Sequence, residues 1–312
     1  MILKKNISCV SDYLSIINEL NKSYTTKGFL NSPCVCKFLY RGISNNEYEM
    51  IPSIFRKTHD IDITINDFIN NSKYTSYTSE KQILQSFIAE ACAYIKRSPS
   101  EELCKWAEYA QHYGVPTRFL DWSQNPLVAL YFACKDNKLD YKQKDNIGGK
   151  DAKVWMLHLY NYSNFVNQRI NTIYDSDQKE YTIYEAINKI YQGEKIFEYP
   201  LIYQPYYADL RMSAQSSMFM VWGRKEDSFD SFFTKENWMR SNKSKEGLRR
   251  FGTQFNQIIF GFHILSDRKQ SILRELDLCG INEKTLFPGL DGVGRYIEMK
   301  YRFDLEEAKE YL

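Results

Sequence analysis

Apolar residues recur at helical spacing in several stretches of the chain. Between residues 79 and 96, Ile83, Phe87 and Ala91 follow one another at helical intervals. This spacing predicts an amphipathic helix, and Ser79 opens a capping-box pattern at its start. Related patterns predict helices at residues 9–21, 98–114, 178–191, 228–247 and from Ser266 to about Leu278.

Runs of apolar and aromatic residues bounded by turn-forming residues predict the strands. They lie at residues 35–40, 117–122, 154–160, 217–222 and 257–265. The segment PLVALYFAC, from Pro126 to Cys134, is apolar on all sides, so we expect a helix buried between two layers. Asn125 is its predicted N-terminal cap.

The order of these elements predicts a single α+β domain covering residues 1–312. Helices and strands are interspersed without an internal repeat, a low-complexity tract or a clear linker. We expect a helical N-terminal subregion at about residues 50–114 and a polar, glycine-containing surface loop at about residues 135–153. The glycine-rich stretch GLDGVG, residues 289–294, has no strand before it and is predicted to turn the chain.

The overall charge is close to balanced, with 41 basic and 39 acidic residues and a formal net charge of +2. This balance argues against a nucleic-acid footprint built on bulk charge, although it is compatible with a local basic patch. Aromatic residues make up 15% of the chain, including 24 Tyr and 19 Phe. Because tyrosines pack while keeping a hydroxyl in water, this content fits either an aromatic-rich core or a broad binding cleft.

Cysteine and histidine positions favour neither a disulfide framework nor a metal site. Cys34 and Cys36, the closest two cysteines, would point to opposite faces of a predicted strand. The four histidines show no metal-ligand spacing with the cysteines. We therefore expect reduced, mostly buried thiols in a cytoplasmic protein. The N-terminal stretch lacks the apolar run of a signal peptide, and no stretch approaches the ~20 apolar residues of a membrane span.

Arg41 and Gly42 end the first predicted strand, and two explanations fit them. The first is an ordinary turn with a solvated arginine. The second is a ligand site, because a guanidinium offers a bidentate fork to phosphate and a glycine lets a ligand approach the main chain.

Polar side chains are concentrated around the strand predicted at residues 117–122 and the helix that follows it. They are Gln111, His112, Thr117, Arg118, Asp121, Trp122, Ser123, Gln124 and Asn125. Because buried polar groups need hydrogen-bond partners, one explanation is a structural network in which Asp121 pairs with Arg118 or Arg41. The other is a cleft lined by the strand end and the helix start. Arg118 and Asp121 should face opposite ways on a strand, and Ser123 is either a cap or a hydroxyl facing a ligand.

Gln215 is a third candidate, in the segment RMSAQSSMF before an apolar strand. Its amide would either brace a loop or contact a ribose hydroxyl or base edge, because it both donates and accepts hydrogen bonds. A serine hydrolase is disfavoured, because Ser123, His112 and Asp121 are not accompanied by a G-x-S-x-G elbow. A P-loop pattern is also missing from the sequence.

Five segments together resemble the FRG domain family of mostly bacterial and phage-borne proteins. They are FLYRG, IPSIFR, WAEYAQHYGVPTRFLDWSQNPLVALYFAC, RMSAQSSMFMVW and ILRELDLCGINEKTLFPGLDGV, in that order over about residues 30–300. The Phe-Arg-Gly motif of the family stands here as Tyr40-Arg41-Gly42, and some members carry Gly at the position of Ser217. Since members often occur among phage-defence and toxin-like genes, the resemblance implies such a context.

A remoter resemblance links the chain to ADP-ribosyltransferases of the Arg-Ser-Glu type. It implies a split antiparallel β core and NAD as the substrate, with Arg41 binding phosphate and Ser123 bracing the nicotinamide pocket. Gln215 stands where that family has a ribose-binding glutamate. Nicotinamide cleavage builds positive charge on the ribose, and a carboxylate stabilises that charge. Either Asp121 or Asp209 would then supply the carboxylate, or the protein would bind nucleotide without cleaving it.

Three functions remain as hypotheses. The first is an NAD-using transferase or glycohydrolase in which Arg41, Ser123 and Gln215 meet in one cleft, with a protein or nucleic acid as the acceptor of a transferase. The second is a non-catalytic nucleotide- or nucleic-acid-binding module with charge and stacking surfaces from Arg41, His112, Arg118 and Trp122. The third is an interaction protein in which the polar cluster is structural.

Overall fold

Helices and strands are mixed along the chain, which confirms the predicted α+β fold. The computed structural model describes residues 4–25, 38–58, 61–64, 76–95, 102–135, 149–166, 168, 172–174, 179–194, 196–205, 209–223, 226–233 and 258–310. None of the helices within these ranges is long and apolar enough to cross a membrane.

Most of the strands belong to one seven-stranded sheet. The strands are β1 (Lys4–Ile7), β2 (Phe38–Ile43), β3 (Lys57–Thr58), β4 (Ile61–Thr64), β5 (Phe119–Ser123), β6 (Ala152–His158), β7 (Thr172–Tyr174), β8 (Glu180–Thr182), β9 (Leu201–Tyr203), β10 (Ser217–Val221) and β11 (Ile259–Ile264). The sheet order is β1-β11-β6-β2-β5-β10-β9. Its neighbours run antiparallel except for β1, which runs parallel to β11, so the predicted antiparallel core carries one parallel edge strand.

The helices are α1 (Val10–Thr25), α2 (Ser76–Ala91), α3 (Leu103–His112), α4 (Pro126–Cys134), α5 (Leu159–Phe165), α6 (Ile183–Tyr191), α7 (Leu210–Ala214), α8 (Lys269–Leu278), α9 (Glu283–Leu286) and α10 (Leu290–Glu310). The buried helix α4 is confirmed at the predicted bounds. Asn125 caps it as predicted, because its side-chain oxygen accepts a hydrogen bond from the Leu127 backbone N–H at 2.9 Å.

The structure corrects several predicted boundaries. Helix α2 begins at Ser76, so Ser79 lies inside the helix rather than at its cap. A 3₁₀ turn precedes α8, so the helix predicted from Ser266 begins at Lys269. The turn predicted for GLDGVG is limited to Gly289, whose φ is +138°, because α10 begins at Leu290 and continues through the later glycines.

Some predicted features lie partly or wholly outside the described residues. They are most of the loop at residues 135–153, most of the helix at residues 228–247, the start of the helix at residues 98–114, and Cys34 and Cys36. The described part of the predicted helical subregion at residues 50–114 contains α2 and α3, a 3₁₀ turn and the two-stranded β3–β4 ladder.

Side chains alternate between the two faces of the large sheet, and the faces have separate cores. The front face carries one apolar cluster that includes Leu39, Trp122 and Trp155. The back face carries two clusters. One packs β2, β6 and β11 against α1, α4 and α8, and the other packs β5, β9 and β10 against α3 and α6. The boundary between the two back clusters therefore falls between β2 and β5, in the middle of the sheet.

Candidate functional site

A cleft of about 1220 Å³ opens where β2 and β5 separate. Candidate residues singled out in the sequence line it: Arg41, Gly42, Gln111, His112, Asp121, Trp122, Ser123 and Gln215. They come from three separated parts of the chain: β2, the neighbouring elements α3 and β5, and the end of α7. Arg118 is not among the lining residues.

The sheet itself creates this cleft. β2 pairs with β6 along its whole length, from Phe38 to Ile43, but its register with β5 consists of the single pair Tyr40–Ser123. Beyond that pair the two strands diverge. Nη1 of Arg41 spans the gap and donates a hydrogen bond to the main-chain oxygen of Asp121. Nε of Arg41 is buried and has no acceptor among the described residues.

Arg41 and Gly42 serve opposite faces of β2. A Cβ on Gly42 would lie 1.9 Å from the Ala129 carbonyl oxygen and 2.5 Å from the Ala133 nitrogen, both in α4. Such distances are far below van der Waals contact, so only glycine lets α4 pack this closely on β2. Gly42 lines the cleft, but the described contacts that require a glycine come from the helix.

Ser123 braces the wall of the cleft. Its Oγ donates a hydrogen bond to the Gln215 carbonyl oxygen at 2.7 Å and accepts one from the Asn125 N–H at 3.0 Å. The hydroxyl thereby connects the end of β5 to the start of α4 and to the segment before β10. Of the two predicted roles, these contacts fit a cap-like brace, and the side chain still borders the cleft.

Gln215 lies directly after α7, and the backbone around it is unusual. Ser216 has a φ of +48°, a left-handed conformation that non-glycine residues rarely adopt. The side-chain amide of Gln215 donates a hydrogen bond to the Leu286 carbonyl oxygen at 3.0 Å. The contact ties this wall of the cleft to α9.

The acidic candidates occupy different positions. The Asp121 carboxylate lines the cleft and accepts a hydrogen bond from the Gln111 amide at 2.9 Å. Asp209 is not a lining residue and caps α7 through the Arg211 N–H at 2.7 Å. Its other carboxylate oxygen lies 3.3 Å from Nε2 of His112, so it reaches the cleft only through that histidine.

Arg118 is part of the protein core. Its side chain is 0% exposed, and its Nε lies 2.6 Å from a carboxylate oxygen of Glu80, which is also fully buried. Nη1 donates a hydrogen bond to the Trp222 carbonyl oxygen at 3.1 Å. Of the two arginines considered as partners of Asp121, Arg118 is excluded, because its buried side chain pairs with Glu80 instead.

Sequence reasoning missed several lining residues. They are Tyr48, Ile51, Arg56, Phe132 and Phe287, among others. Arg56 follows the motif IPSIF just as Arg41 follows an apolar strand, so an arginine ending a buried run was the available signal. The aromatic residues carry no comparable signal, because aromatic side chains occur throughout this chain.

The cleft lining contains three arginines, Arg41, Arg56 and Arg211, and five acidic residues, which are Glu47, Glu49, Asp121, Glu226 and Asp227. Burial lowers the pKa of Arg41 to about 10, with Asp121 opposing this effect and Arg56 adding to it. Burial also lowers the pKa of Arg56, again against the charge of Asp121. Both remain cationic at neutral pH, and neither forms an ion pair with a carboxylate of the described residues. Of the acidic lining residues, Glu47 pairs with Lys150 at 3.1 Å.

The described residues contain no cluster of three or more His, Cys, Asp or Glu side chains that would hold a metal ion. The described lining of the cleft carries guanidinium, carboxylate, imidazole, amide, hydroxyl and aromatic groups.

Comparison with known proteins agrees with the motif order found in the sequence. A family model described as the FRG domain matches residues 36–142. No curated protein and no solved structure matches the chain. The matched segment includes β2, α3, β5 and α4, whereas Gln215 lies beyond it. The predicted family is thus confirmed: the chain carries an FRG domain, and that domain supplies Arg41, Asp121 and Ser123 to the cleft.

Proposed function

We propose that the cleft binds NAD or a related dinucleotide and cleaves its nicotinamide–ribose bond. The observation that carries the proposal is that Arg41, Ser123 and Gln215, from three separate segments of the chain, line one cleft. The volume of about 1220 Å³ is slightly larger than the usual ligand pocket and has room for two linked nucleotides.

Each class of lining residue has a role in this proposal. Arg41 contributes hydrogen-bond donors for phosphate oxygens, because its Nε has no acceptor among the described residues. Tyr48, Phe132 and Phe287 offer aromatic surface to the rings of the ligand, whereas the Trp122 ring is only 3% exposed. The hydrogen bond from Ser123 to the Gln215 carbonyl oxygen fixes the end of β5 against the segment that precedes β10.

The reaction requires a negative charge near the ribose. When the C1′–N bond breaks, its electron pair leaves with nicotinamide, and positive charge develops on the ribosyl group. An oxygen of water or of an acceptor then bonds to C1′ and loses its proton to solvent. Asp121 is the better candidate for stabilising that charge, because its carboxylate lines the cleft while Asp209 is used in capping α7.

A second candidate function is dinucleotide binding without cleavage. Gln215 favours it, because an amide contacts a ribose hydroxyl but supplies no full negative charge. The same geometry serves both functions up to the point of bond cleavage, so only a direct assay separates them.

The first experiment measures nicotinamide release from NAD by mass spectrometry, alone and with cell extract, where ADP-ribose adducts on proteins or nucleic acids would identify an acceptor. We expect release by the wild type and none by Arg41→Ala, which should lose only about 1 kcal/mol of stability with its one hydrogen bond. Arg268→Ala, an exposed arginine outside the lining, is the matched control.

Asp121→Asn tests the catalytic step, because asparagine still accepts the hydrogen bond from Gln111. We expect it to bind NAD normally and to slow cleavage by a factor on the order of 100 or more. Binding without release in the wild type would favour the second candidate. A lower melting temperature of Arg41→Ala together with unchanged NAD binding would instead support a purely structural polar cluster.

The phage-defence or toxin context stays a prediction.

A further inference from the structure

Arg56 is a second guanidinium at the cleft, and the chain fixes its position. It directly follows a 3₁₀ turn in which Ile54 and Phe55 are buried against the front face of the sheet. Its Nε donates a hydrogen bond to the Ile51 carbonyl oxygen at 3.1 Å. That bond uses the inner nitrogen, and the two terminal nitrogens have no acceptor among the described residues. More than a third of the residue is exposed to solvent.

Arg41 presents a complementary arrangement. One terminal nitrogen contacts the Asp121 carbonyl oxygen, and the buried Nε has no described acceptor. Asp121 acts on both arginines through its charge, and the two guanidiniums are near enough for Arg56 to disfavour the charged form of Arg41. The cleft lining also contains the carboxylates of Glu47, Glu49, Asp121, Glu226 and Asp227, but neither arginine forms an ion pair with a carboxylate of the described residues.

Trp122 adds an independent observation at the same place. It lines the cleft and is 3% exposed, and its indole Nε1 is a buried donor without an acceptor among the described residues. Buried N–H groups in native proteins are nearly always paired. The donors of Arg41 and Trp122 and the head group of Arg56 would all be satisfied by a ligand rich in anionic oxygens.

We propose that Arg41 and Arg56 form a two-arginine clamp for a pyrophosphate, with each guanidinium binding one of the two linked phosphoryl groups. The ligand class is then a nucleoside diphosphate or a dinucleotide in preference to a nucleoside monophosphate. The inference rests on the proposed function for its use of the cleft, but it concerns binding and requires no bond cleavage.

The test compares the binding of ADP-ribose, ADP and AMP by titration calorimetry for the wild type and Arg56→Ala. We expect the wild type to bind ADP-ribose and ADP more tightly than AMP. Arg56→Ala should weaken ADP-ribose and ADP by about tenfold or more and AMP by less than about twofold, because Arg41 still binds a single phosphate. Arg56→Lys should fall between them, because lysine keeps the charge but loses the planar fork. Arg268→Ala should bind all three ligands like the wild type.

Equal weakening of AMP and ADP-ribose in Arg56→Ala would overturn the clamp, as would unchanged ADP-ribose affinity or a wild type that binds none of the three ligands. Thermal unfolding of each variant shows whether it is folded. If Arg56→Ala does not fold, the comparison of the three ligands is made with Arg56→Lys. If no nicotinamide is released but the ligand contrast depends on Arg56, the cleavage proposal fails and the clamp stands. If nicotinamide is released and the contrast is missing, the clamp alone fails.

Discussion

Arg41 and Gly42 are adjacent in β2 but have different structural roles. Arg41 extends from the front face, between Trp155 on β6 and the diverging end of β5, and contributes to the cleft. Gly42 faces the back, where the α4 main chain leaves no space for a side chain. The pair Arg-Gly therefore combines a binding group with a packing requirement, and the two should respond differently to mutation.

Gly42→Ala should destabilise the fold severely, because the new Cβ would overlap the Ala129 carbonyl oxygen at 1.9 Å. Overpacking of this kind costs about 3 kcal/mol, and more when the obstacle is main chain. Gly294→Ala is the matched control, since it lies in α10 with nothing within 4 Å of its added Cβ. The control should be neutral or gain up to about 1 kcal/mol in helix propensity. Urea unfolding measures both, and a similar response of the two variants would contradict this account.

At the scale of elements, a buried ion pair connects α2 to the start of β5. Both oxygens of the Glu80 carboxylate are used. One accepts from the Arg118 backbone N–H at 2.9 Å and from the Tyr191 hydroxyl at 3.0 Å, and the other accepts from Arg118 Nε at 2.6 Å. These bonds position β5, which carries Asp121 and Ser123 into the cleft. Arg118 thus supports the site without touching it.

Glu80→Ala should therefore lower the free energy of unfolding by about 3–5 kcal/mol, because it leaves the Arg118 cation buried without its carboxylate. Glu90→Ala is the control on the same helix, where the glutamate is exposed, and it should change stability by less than about 0.5 kcal/mol. Equilibrium denaturation gives both values. If the free energy of unfolding of Glu80→Ala were close to that of the wild type, α2 would not be anchored through this pair.

At the scale of the whole molecule, Glu108 makes stability depend on pH. Burial raises the pKa of this glutamate from 4.5 to about 7, against the hydrogen bond that it accepts from the Tyr203 hydroxyl. The folded protein then binds more protons than the unfolded chain between about pH 4.5 and pH 7. The contribution of this group to stability is therefore largest at acid pH and declines as the pH rises through that window.

Glu108→Gln should remove this dependence while keeping a polar partner for Tyr203. Relative to the wild type, we expect similar stability near pH 4.5 and a gain of about 3 kcal/mol above pH 7. Urea unfolding across this pH range measures the difference, with the exposed Glu102→Gln as the control. A stability difference that does not change with pH would contradict the assignment to Glu108.

How far the sequence predicts this molecule depends on the range of the interactions. Helix α4 and its Asn125 cap follow from local pattern, because an apolar segment behind a capping residue specifies its own structure. The partner of Arg118 does not, because Glu80 lies 38 positions earlier and only packing brings the two together. The glycines of α10 misled the prediction. At Gly292 a glycine is required by packing rather than by a turn, because an added Cβ would lie 1.9 Å from the Phe287 carbonyl oxygen. The meeting of Arg41, Ser123 and Gln215 was predicted only through family resemblance.

The single register pair between β2 and β5 has a consequence for how the site is mapped. Past Tyr40 and Ser123, the facing sides of the two strands carry peptide groups that do not join into a ladder, so the cleft wall is partly main chain. Peptide N–H and C=O groups are strong hydrogen-bonding partners and are the same whatever side chain is present. Alanine scanning will therefore leave that component of recognition untouched, and side-chain substitutions will understate how much of the affinity the strand geometry itself provides.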